Sequence, residues 1–390
     1  MSSLADLDPL TGTDGRPVPD ATAWDRRRHE LRRLFEAHVY GPWPGDPRGV
    51  ELVSVTETSA LDGTARLVEA QVRVDSPAAT FPLLLVTPAA PGPHPCFLGL
   101  NFHGNHTVLD HPAVTVHDRY AVDGAAGRGD HRDSWDVAGS VAAGYAVATV
   151  FCGDVVQDHP DLAGPDLDAL ATPAGRPGAL MAWAWALSAA RAALSSRPEV
   201  DPSAVTVVGH SRMGKAALVA SGWDDRFAAV VATQSGTGGA SPSRKAPERC
   251  VPGPDGRPEA ETVKMITRRF PHWFAPAFAG HADRTDELPV DQHQLLALSA
   301  PRPTLLWNGT EDLWADPAGT WDCLQAAAPV FRFLGADQPE VVDVPEPGQT
   351  TPGTLAYGLR PGGHSVTRED WAAWRRWCAC RPGGEPQAPR

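Results

Sequence analysis

The fold of this chain is constrained most by an alternation of short apolar runs with longer helical patterns, which is regular from about residue 140 onward. Runs rich in β-branched and aromatic residues, flanked by Gly and Pro, predict strands at residues 66–74, 81–87, 96–102, 145–151, 204–208, 227–232, 303–307 and 339–344. Helical periodicity predicts helices at residues 24–39, 178–195, 214–221, 292–298 and 368–377. Because crossover helices join parallel strands, this order predicts an α/β fold, a three-layer α/β/α sandwich with a mostly parallel central sheet.

The 390 residues are predicted to form one large domain over residues 29–381. Residues 1–28 are polar and rich in Pro, Asp and Gly, so we expect a loosely held lead-in, and residues 382–390 are predicted to be a flexible tail. Two long irregular stretches, residues 110–134 and 240–261, interrupt the domain. Compact domains seldom keep such loops without a use, so we expect both to form the rim of a ligand cleft.

Composition argues against several classes of partner. The formal net charge is −13 and no long Lys/Arg run is present, so neither nucleic acid nor an anionic membrane is expected to bind. The N-terminal residues lack the features of a signal peptide and no apolar stretch of about 18 residues occurs, so we expect a cytoplasmic protein without an obligate protein partner. None of the six cysteines forms a C-x-x-C pair, and His103 and His106 are interpreted as cleft-lining or structural, so neither metal nor cofactor is expected.

The run G-H-S-R-M-G-K at residues 209–215 joins the predicted strand at 204–208 to the predicted helix at 214–221. A serine on a sharp turn between a strand and a helix is typical of a nucleophile elbow, because the helix N-terminus favours negative charge. The general pattern is G-x-S-x-G, whereas Met213 stands here at the second glycine's place. We predict Ser211 as a nucleophile, and the alternative is a serine that only caps the helix.

A nucleophilic serine needs a base, and the base needs an orienting acid. In α/β hydrolases the order along the chain is serine, acid, histidine. The loop after the predicted strand at 303–307 carries Glu311 and Asp312, and beyond it the chain holds a single histidine, His364, in R-P-G-G-H. We therefore predict His364 as the base and Asp312 as the acid, with Glu311 as the alternative acid.

Two cations follow the serine. The backbone N–H of Arg212 is predicted to form half of an oxyanion hole, to which its guanidinium adds positive charge. Lys215 comes four residues after Ser211, on the same face of the predicted helix. Two cations beside the serine of an acidic protein indicate an oxygen-rich substrate with a carboxyl-derived group. The alternative is that both cations pair with structural carboxylates.

In these motifs the chain resembles the glucuronoyl esterases, a carbohydrate esterase family of α/β hydrolases whose elbow reads G-C-S-R-x-G-K. The resemblance covers roughly residues 30–378, in family order, and looks closest to bacterial members. Matching stretches are L-N-F-H-G-N-H at 100–106, G-Y-A-V-A-T at 144–149, S-G-T-G-G-A at 235–240, E-T-V at 261–263, F-P-H-W-F at 270–274, D-Q-H at 291–293, A-P-R-P at 300–303 and R-P-G-G-H at 360–364.

The resemblance implies hydrolysis of esters between (4-O-methyl-)glucuronic acid, as carried on glucuronoxylan, and lignin alcohols, through an acyl-enzyme on Ser211. It further implies that Lys215, Glu261 and Trp314 contact the sugar. Three departures stand out. Gln234 occupies a place where many members have the acid Glu, so that duty passes to Asp312 or Glu311. Fungal members have cysteines joined by a disulfide at the positions of His210 and Ser365, which cannot form one here. Members acting on biomass are normally exported, whereas the N-terminal residues here lack the features of a signal peptide, so a small imported uronate ester is an alternative substrate.

Two other functions stay open from sequence alone. One is a carbohydrate deacetylase or general small-ester hydrolase on the same fold, which has no evident need for both Arg212 and Lys215. The other is a catalytically silent sugar-binding protein, which the substitution at Gln234 allows. Activity on a uronate ester against an acetyl ester separates the two enzymes, and turnover of any kind excludes the binding protein.

Overall fold

The computed structural model describes residues 4–117, 119–121, 124–245, 247, 251–252, 258–340 and 343–380. The strands in these residues are β1 (Glu51–Ala60), β2 (Ala65–Asp75), β3 (Ala78–Pro88), β4 (His94–Asn101), β5 (Ala146–Phe151), β6 (Val200–His210), β7 (Ala229–Thr233), β8 (Val251–Pro252), β9 (Pro258–Glu259), β10 (Thr304–Gly309) and β11 (Leu355–Arg360). Within the described chain, nine of them form one sheet in the order β1-β2-β3-β5-β4-β6-β7-β10-β11, and β8 pairs with β9 alone.

The sheet is mostly parallel, as predicted. The pairings from β5 through β4, β6, β7 and β10 to β11 are all parallel. The strands β1, β2 and β3 add an antiparallel extension at the other edge, which joins the parallel part at β5. The carboxyl ends of β6, β7, β10 and β11 therefore meet along one edge, and the predicted nucleophile, acid and base follow three of these strands.

Seven predicted strands are confirmed within a few residues, and the eighth, at residues 339–344, is wrong in its described part. Residues 339–340 and 343–344 are not in a strand, and residues 341–342 lie outside the described chain. The edge of the sheet is formed instead by β11, whose pattern is weakened by Gly358. A Cβ at Gly358 would lie 2.0 Å from the Trp307 ring, so this glycine lets the tryptophan of β10 cover its neighbour. The mostly exposed β1 was also not predicted, because it carries no buried face to give an apolar pattern.

The helices cover both faces of the sheet. They are α1 (Ala21–Phe35), α2 (Asn105–Val108), α3 (Arg132–Trp135), α4 (Val137–Ala142), α5 (Cys152–Val155), α6 (Ala163–Ala169), α7 (Ala179–Leu194), α8 (Arg212–Trp223), α9 (Val263–Arg269), α10 (Pro276–Gly280), α11 (Gln292–Ala297), α12 (Pro317–Phe333) and α13 (Arg368–Ala379). The five predicted helices correspond to α1, α7, α8, α11 and α13. The prediction missed α12, which continues through Pro329, a residue that normally ends a helical pattern.

The main core lies between the sheet and the layer that contains α1, α7, α8, α11 and α12, while α4 and α13 pack on the opposite face. Helix α7 is apolar on nearly all of its surface, as expected of a helix that is buried between neighbouring elements. Its Trp183 and Trp185 are fully buried. The mostly parallel sheet with helices on both faces confirms the α/β fold class. No helix in the described ranges has the length and apolar character needed to cross a membrane.

The N-terminal segment differs from the expected loose lead-in. The Leu7 carbonyl accepts hydrogen bonds from His293 Nε2 and Gln294 Nε2, both at 2.9 Å. Leu10 and Val18 pack against the main core, so residues 4–20 are docked on the domain. The predicted tail at residues 382–390 lies outside the described residues. Of the cysteines, the five in the described ranges form no disulfide, and Cys250 is outside them.

Candidate active site

Ser211 lies in the nucleophile turn, residues 209–214, between β6 and α8. Its backbone has φ 56° and ψ −126°, a strained conformation for a residue other than glycine. The Ser211 N–H donates to the Thr233 carbonyl of β7 at 2.9 Å, which fixes the turn to the sheet. Such strain is expected where a serine is held clear of its neighbours at the start of a helix.

The two glycines of this turn have steric roles. A Cβ at Gly209 would lie 2.0 Å from the Met213 carbonyl oxygen, which no alanine tolerates. A Cβ at Gly214 would lie 3.0 Å from the carbonyl oxygens of both Gly209 and Thr233. Gly214 is the second glycine of the G-x-S-x-x-G pattern, one residue later than in G-x-S-x-G. It stands where the first turn of α8 lies directly against the ends of β6 and β7.

His364 lies in the base loop, residues 361–365, which follows β11. Its Nδ1 is 2.7 Å from Asp312 Oδ2, and the Asp312 side chain is 1% exposed, whereas the imidazole is 36% exposed. Asp312 is further held by Ala315, whose N–H donates to Oδ1 at 3.3 Å. Glu311 is exposed, and its backbone N–H donates to the Gly362 carbonyl. Of the two candidate acids, the structure brings Asp312 to the histidine and turns Glu311 to the surface.

Ser211 and His364 line one cavity of about 380 Å³ at the carboxyl edge of the sheet. Its wall combines polar and aromatic side chains, among them Phe102, His103, His131, Trp135, His210 and Val366. The rings of His103 and His131 stack at 4.0 Å. The irregular stretch 110–134 therefore contributes to the wall, as predicted. In the described residues, no three His, Cys, Asp or Glu side chains are grouped as a metal ligand set.

The Arg212 guanidinium is held beside the turn by a buried acid and three aromatic rings. It pairs with Asp158, which is 2% exposed, and stands 4.9 Å from the centroid of the Trp273 ring, with Phe102 and Phe270 slightly farther away. Burial favours a raised pKa for Asp158, but hydrogen bonds from His272 and Trp273 and the charge of Arg212 outweigh it and lower the pKa. The carboxylate therefore stays charged and keeps the guanidinium in one place.

Lys215 and Glu261 form a buried pair below the turn. Lys215 Nζ lies 3.3 Å from both Glu261 oxygens and donates to the carbonyls of Ser235 at 2.5 Å and Thr237 at 2.7 Å. Burial lowers the pKa of Lys215 and raises that of Glu261, and in each residue the charge of the partner opposes this shift. All three donors of the ammonium have protein acceptors, so the alternative of structural pairing describes both Lys215 and Arg212 in this structure.

Of the predicted site residues, Ser211, Arg212 and His364 line the cavity, whereas Lys215, Glu261 and Trp314 lie outside it. Trp314 lies two residues after Asp312, in a 3₁₀ turn, and is half-buried. The Arg269 guanidinium stands 5.9 Å from the centroid of its ring. The structure thus brings three of these six residues to the cavity wall and leaves the other three outside it.

The chain is similar in sequence and structure to known carbohydrate esterases. A family model for glucuronyl esterase of fungi matches residues 172–335. The solved structure of a glucuronoyl esterase from Solibacter usitatus superposes with a TM-score of 0.83 at 33% identity, covering 94% of this chain and 95% of that one. The curated carbohydrate esterase MZ0003, from an unknown prokaryotic organism, is 38% identical over 93% of this chain and 86% of its own length. The chain belongs to the glucuronoyl esterase family.

A more distant relative is the 4-O-methyl-glucuronoyl methylesterase 1 of Wolfiporia cocos, 26% identical over 84% of this chain and 72% of its own length. Membership makes the protein a carboxylic ester hydrolase on the α/β-hydrolase fold, which confirms the resemblance noted in the sequence. A catalytically silent sugar-binding protein is correspondingly disfavoured.

Two members of this glucuronoyl esterase site were not assigned a role from sequence. Asp158 is one of several aspartates in and around the loop after α5, and nothing in the sequence distinguishes it from them, although its partners His272 and Trp273 belong to the F-P-H-W-F stretch. Gln234 was noted only as a departure from the family. Its side chain binds backbone groups of Gly363 and Ser365, on either side of His364.

Proposed function

We propose that this protein hydrolyses esters of (4-O-methyl-)glucuronic acid through an acyl-enzyme on Ser211. The observation that carries the proposal is that Ser211 and His364 line one cavity while Asp312 Oδ2 lies 2.7 Å from His364 Nδ1. The name of the Wolfiporia cocos relative supports the uronate as the acyl group.

In the acylation step, Ser211 Oγ attacks the uronate carbonyl carbon while His364 Nε2 takes its proton. Asp312 accepts the Nδ1–H bond, which selects the tautomer with a free Nε2 and stabilises the imidazolium that forms. The carbonyl oxygen becomes negative and is stabilised by the backbone N–H of Arg212 and by its guanidinium. His364 then gives the proton to the alcohol oxygen, the ester bond breaks and the alcohol leaves. A water molecule, activated by the same histidine, releases the uronate.

The paired cations suit an uncharged ester. Because Arg212 is paired with Asp158 and Lys215 with Glu261, neither pair adds net positive charge to the site, and the Arg212 guanidinium acts only on the charge that develops at the adjacent oxyanion. A free uronate gains little from such a site, so the anionic product can leave after hydrolysis. Contacts of Lys215, Glu261 and Trp314 with the sugar stay a prediction.

The cavity suits the alcohol side of the substrate. The alcohol oxygen must come within reach of His364 to be protonated, and the cavity adjoins His364, Ser365 and Val366. An apolar cavity of about 150 Å³ accommodates a benzene ring. A cavity of about 380 Å³ walled by Phe102 and Trp135 is therefore large enough for a substituted aromatic alcohol.

The test compares benzyl glucuronate with an acetyl ester of the same aromatic alcohol, using Ser211→Ala as the blank. We expect kcat/KM to be higher for the uronate by about tenfold or more, since sugar binding energy is used in the transition state. Preference for the acetyl ester would instead establish a general small-ester hydrolase. Methyl glucuronate, which leaves the cavity empty, is expected to react more slowly than the benzyl ester. A glucuronoxylan-derived ester in the same assay compares a polymeric substrate with a small one.

A further inference from the structure

Gln234 lies directly after β7 with φ 49°, an unusual conformation for a non-glycine residue, and its side chain is buried. Its Nε2 donates to the Gly363 carbonyl at 2.8 Å, and its Oε1 accepts from the Ser365 N–H at 3.2 Å. A single primary amide thus bonds to the backbone on both sides of His364. The two partners need one donor and one acceptor, and the amide supplies both in this orientation.

Two neighbours complete the contact. Arg360 Nη2 donates to the same Gly363 carbonyl and to Ser365 Oγ, both at 2.9 Å, while its Nε is 3.0 Å from Asp370. A Cβ at Gly309 would lie 2.9 Å from Gln234 Nε2 and 2.4 Å from the Gly362 carbonyl oxygen. Gly309 therefore lets the base loop lie directly against the amide.

We propose that Gln234 is a positioning residue that fixes the base loop, so that His364 meets both Asp312 and Ser211. This inference rests on the proposed function of these three residues. In this chain the amide holds the base loop without a covalent link, and Asp312 supplies the carboxylate that is hydrogen-bonded to His364.

The bond that only the glutamine can make is the one that its Nε2 donates to the Gly363 carbonyl, because an ionised glutamate has no donor there. A glutamate of the same size at position 234 still accepts from the Ser365 N–H, but its ionised carboxylate places an acceptor against the Gly363 carbonyl. A buried carbonyl facing a carboxylate is repelled, so the base loop is displaced. A displacement of about 1 Å in a catalytic group lowers turnover by up to about a hundredfold.

The experiment is Gln234→Glu, with Gln338→Glu as the matched control. Gln338 is another buried glutamine whose Oε1 accepts a backbone N–H, from Leu355 at the opposite end of β11, and whose Nε2 has no hydrogen-bond partner in the described chain. We expect Q234E to lower kcat on benzyl glucuronate about ten- to a hundredfold with KM changed less than about twofold, and Q338E to retain wild-type kinetics. Phosphonylation of Ser211 by a fluorophosphonate, which needs no uronate, is expected to slow in parallel.

A second pair of variants separates positioning from a reserve acid. If position 234 can act as the acid, the double variant Q234E/D312N will be more active than D312N alone, which overturns the proposal. Full activity of Q234E overturns it as well. If Q234E lacks a cooperative thermal transition, the uncharged Gln234→Met replaces it, with the same expected fall in phosphonylation rate. A wild type inert on uronate esters but normally phosphonylated contradicts only the proposed substrate.

Discussion

The nucleophile turn and the base loop lie at the same edge of the sheet but are held in different ways. The turn is fixed mainly from within, by the close approach of Gly209 to Met213 and by one backbone bond from Ser211 to β7. The base loop has local contacts from Arg360, but it is also fixed from outside, by side chains of Gln234 and Asp312 that are far away in the chain. The nucleophile Ser211 depends on the backbone conformation of its own turn. The base His364 must instead be placed correctly relative to two other residues, Ser211 and Asp312.

This contrast predicts whether a substitution lowers stability, turnover or both. Substitutions of the two glycines in the nucleophile turn, Gly209 and Gly214, bring the new Cβ against nearby backbone. Substitutions around the base loop leave the backbone free to fold but remove partners that arrive from other strands. The first class should therefore act on stability and activity together, and the second mainly on turnover.

The largest effect is expected for Ser211→Ala. Removal of the nucleophile should lower kcat on benzyl glucuronate about 10⁵-fold or more, because the remaining groups only bind and polarise the ester. The variant should keep the thermal unfolding midpoint of the wild type, since Ser211 Oγ holds neither the turn nor the loop. Residual activity within a hundredfold of the wild type would show that another residue is the nucleophile.

Asp312→Asn should come next, with a fall in kcat of about 10⁴-fold, because an amide favours the wrong histidine tautomer and carries no charge. Glu311→Gln is the matched control one residue away. Its side chain is exposed, so its kcat should stay within about twofold of the wild type. If E311Q is the more damaging of the two, the acid has been assigned to the wrong residue.

Gly209→Ala tests the turn itself. The added Cβ would meet the Met213 carbonyl at 2.0 Å, so the free energy of unfolding should fall by about 1–3 kcal/mol, with activity falling as well. Gly164 in α6 has no atom within 4 Å of such a Cβ and serves as the control. Urea unfolding should show Gly164→Ala as neutral or stabilised by about 0.4–1 kcal/mol. Equal stability of both variants would mean that the turn relaxes without cost.

The smallest effect concerns His210, which touches both regions. Its ring lies 4.6 Å from that of His364, and its Nδ1 is 3.0 Å from Thr233 Oγ1. Burial, and then the positive charges of His364, Arg360 and Arg212, hold the pKa of His210 well below its ordinary value. Below about pH 6.5 the unfolded chain takes up a proton at this residue that the folded protein does not, so stability falls as the pH decreases.

His210→Gln removes this proton uptake. The slope of the free energy of unfolding between pH 5 and 6.5 should decrease by up to about 1.4 kcal/mol per pH unit, measured by urea unfolding at a series of pH values. Identical slopes for the variant and the wild type would mean that His210 is protonated in the folded protein as readily as in the unfolded chain.

Sequence reasoning succeeded where the determining contacts are local. Most strands, five of the helices and the strand–serine–helix turn follow from periodicity and glycine placement within short windows. It failed for β11 and α12, because Gly358 and Pro329 interrupt patterns that tertiary packing tolerates. It also left open whether Arg212 and Lys215 pair with structural carboxylates, because their partners Asp158 and Glu261 come from distant segments.

The sequence by itself determined the α/β fold, the serine at its turn and the order of acid and base along the chain. Each of these depends on residues that are neighbours in sequence or on the rule that parallel strands end at one edge. Only the tertiary structure decided between Asp312 and Glu311, paired Arg212 with Asp158 and gave Gln234 its contacts with the base loop. Those choices depend on distances of about 3 Å between side chains and backbone groups from different elements, which only packing of the sheet and its helices sets.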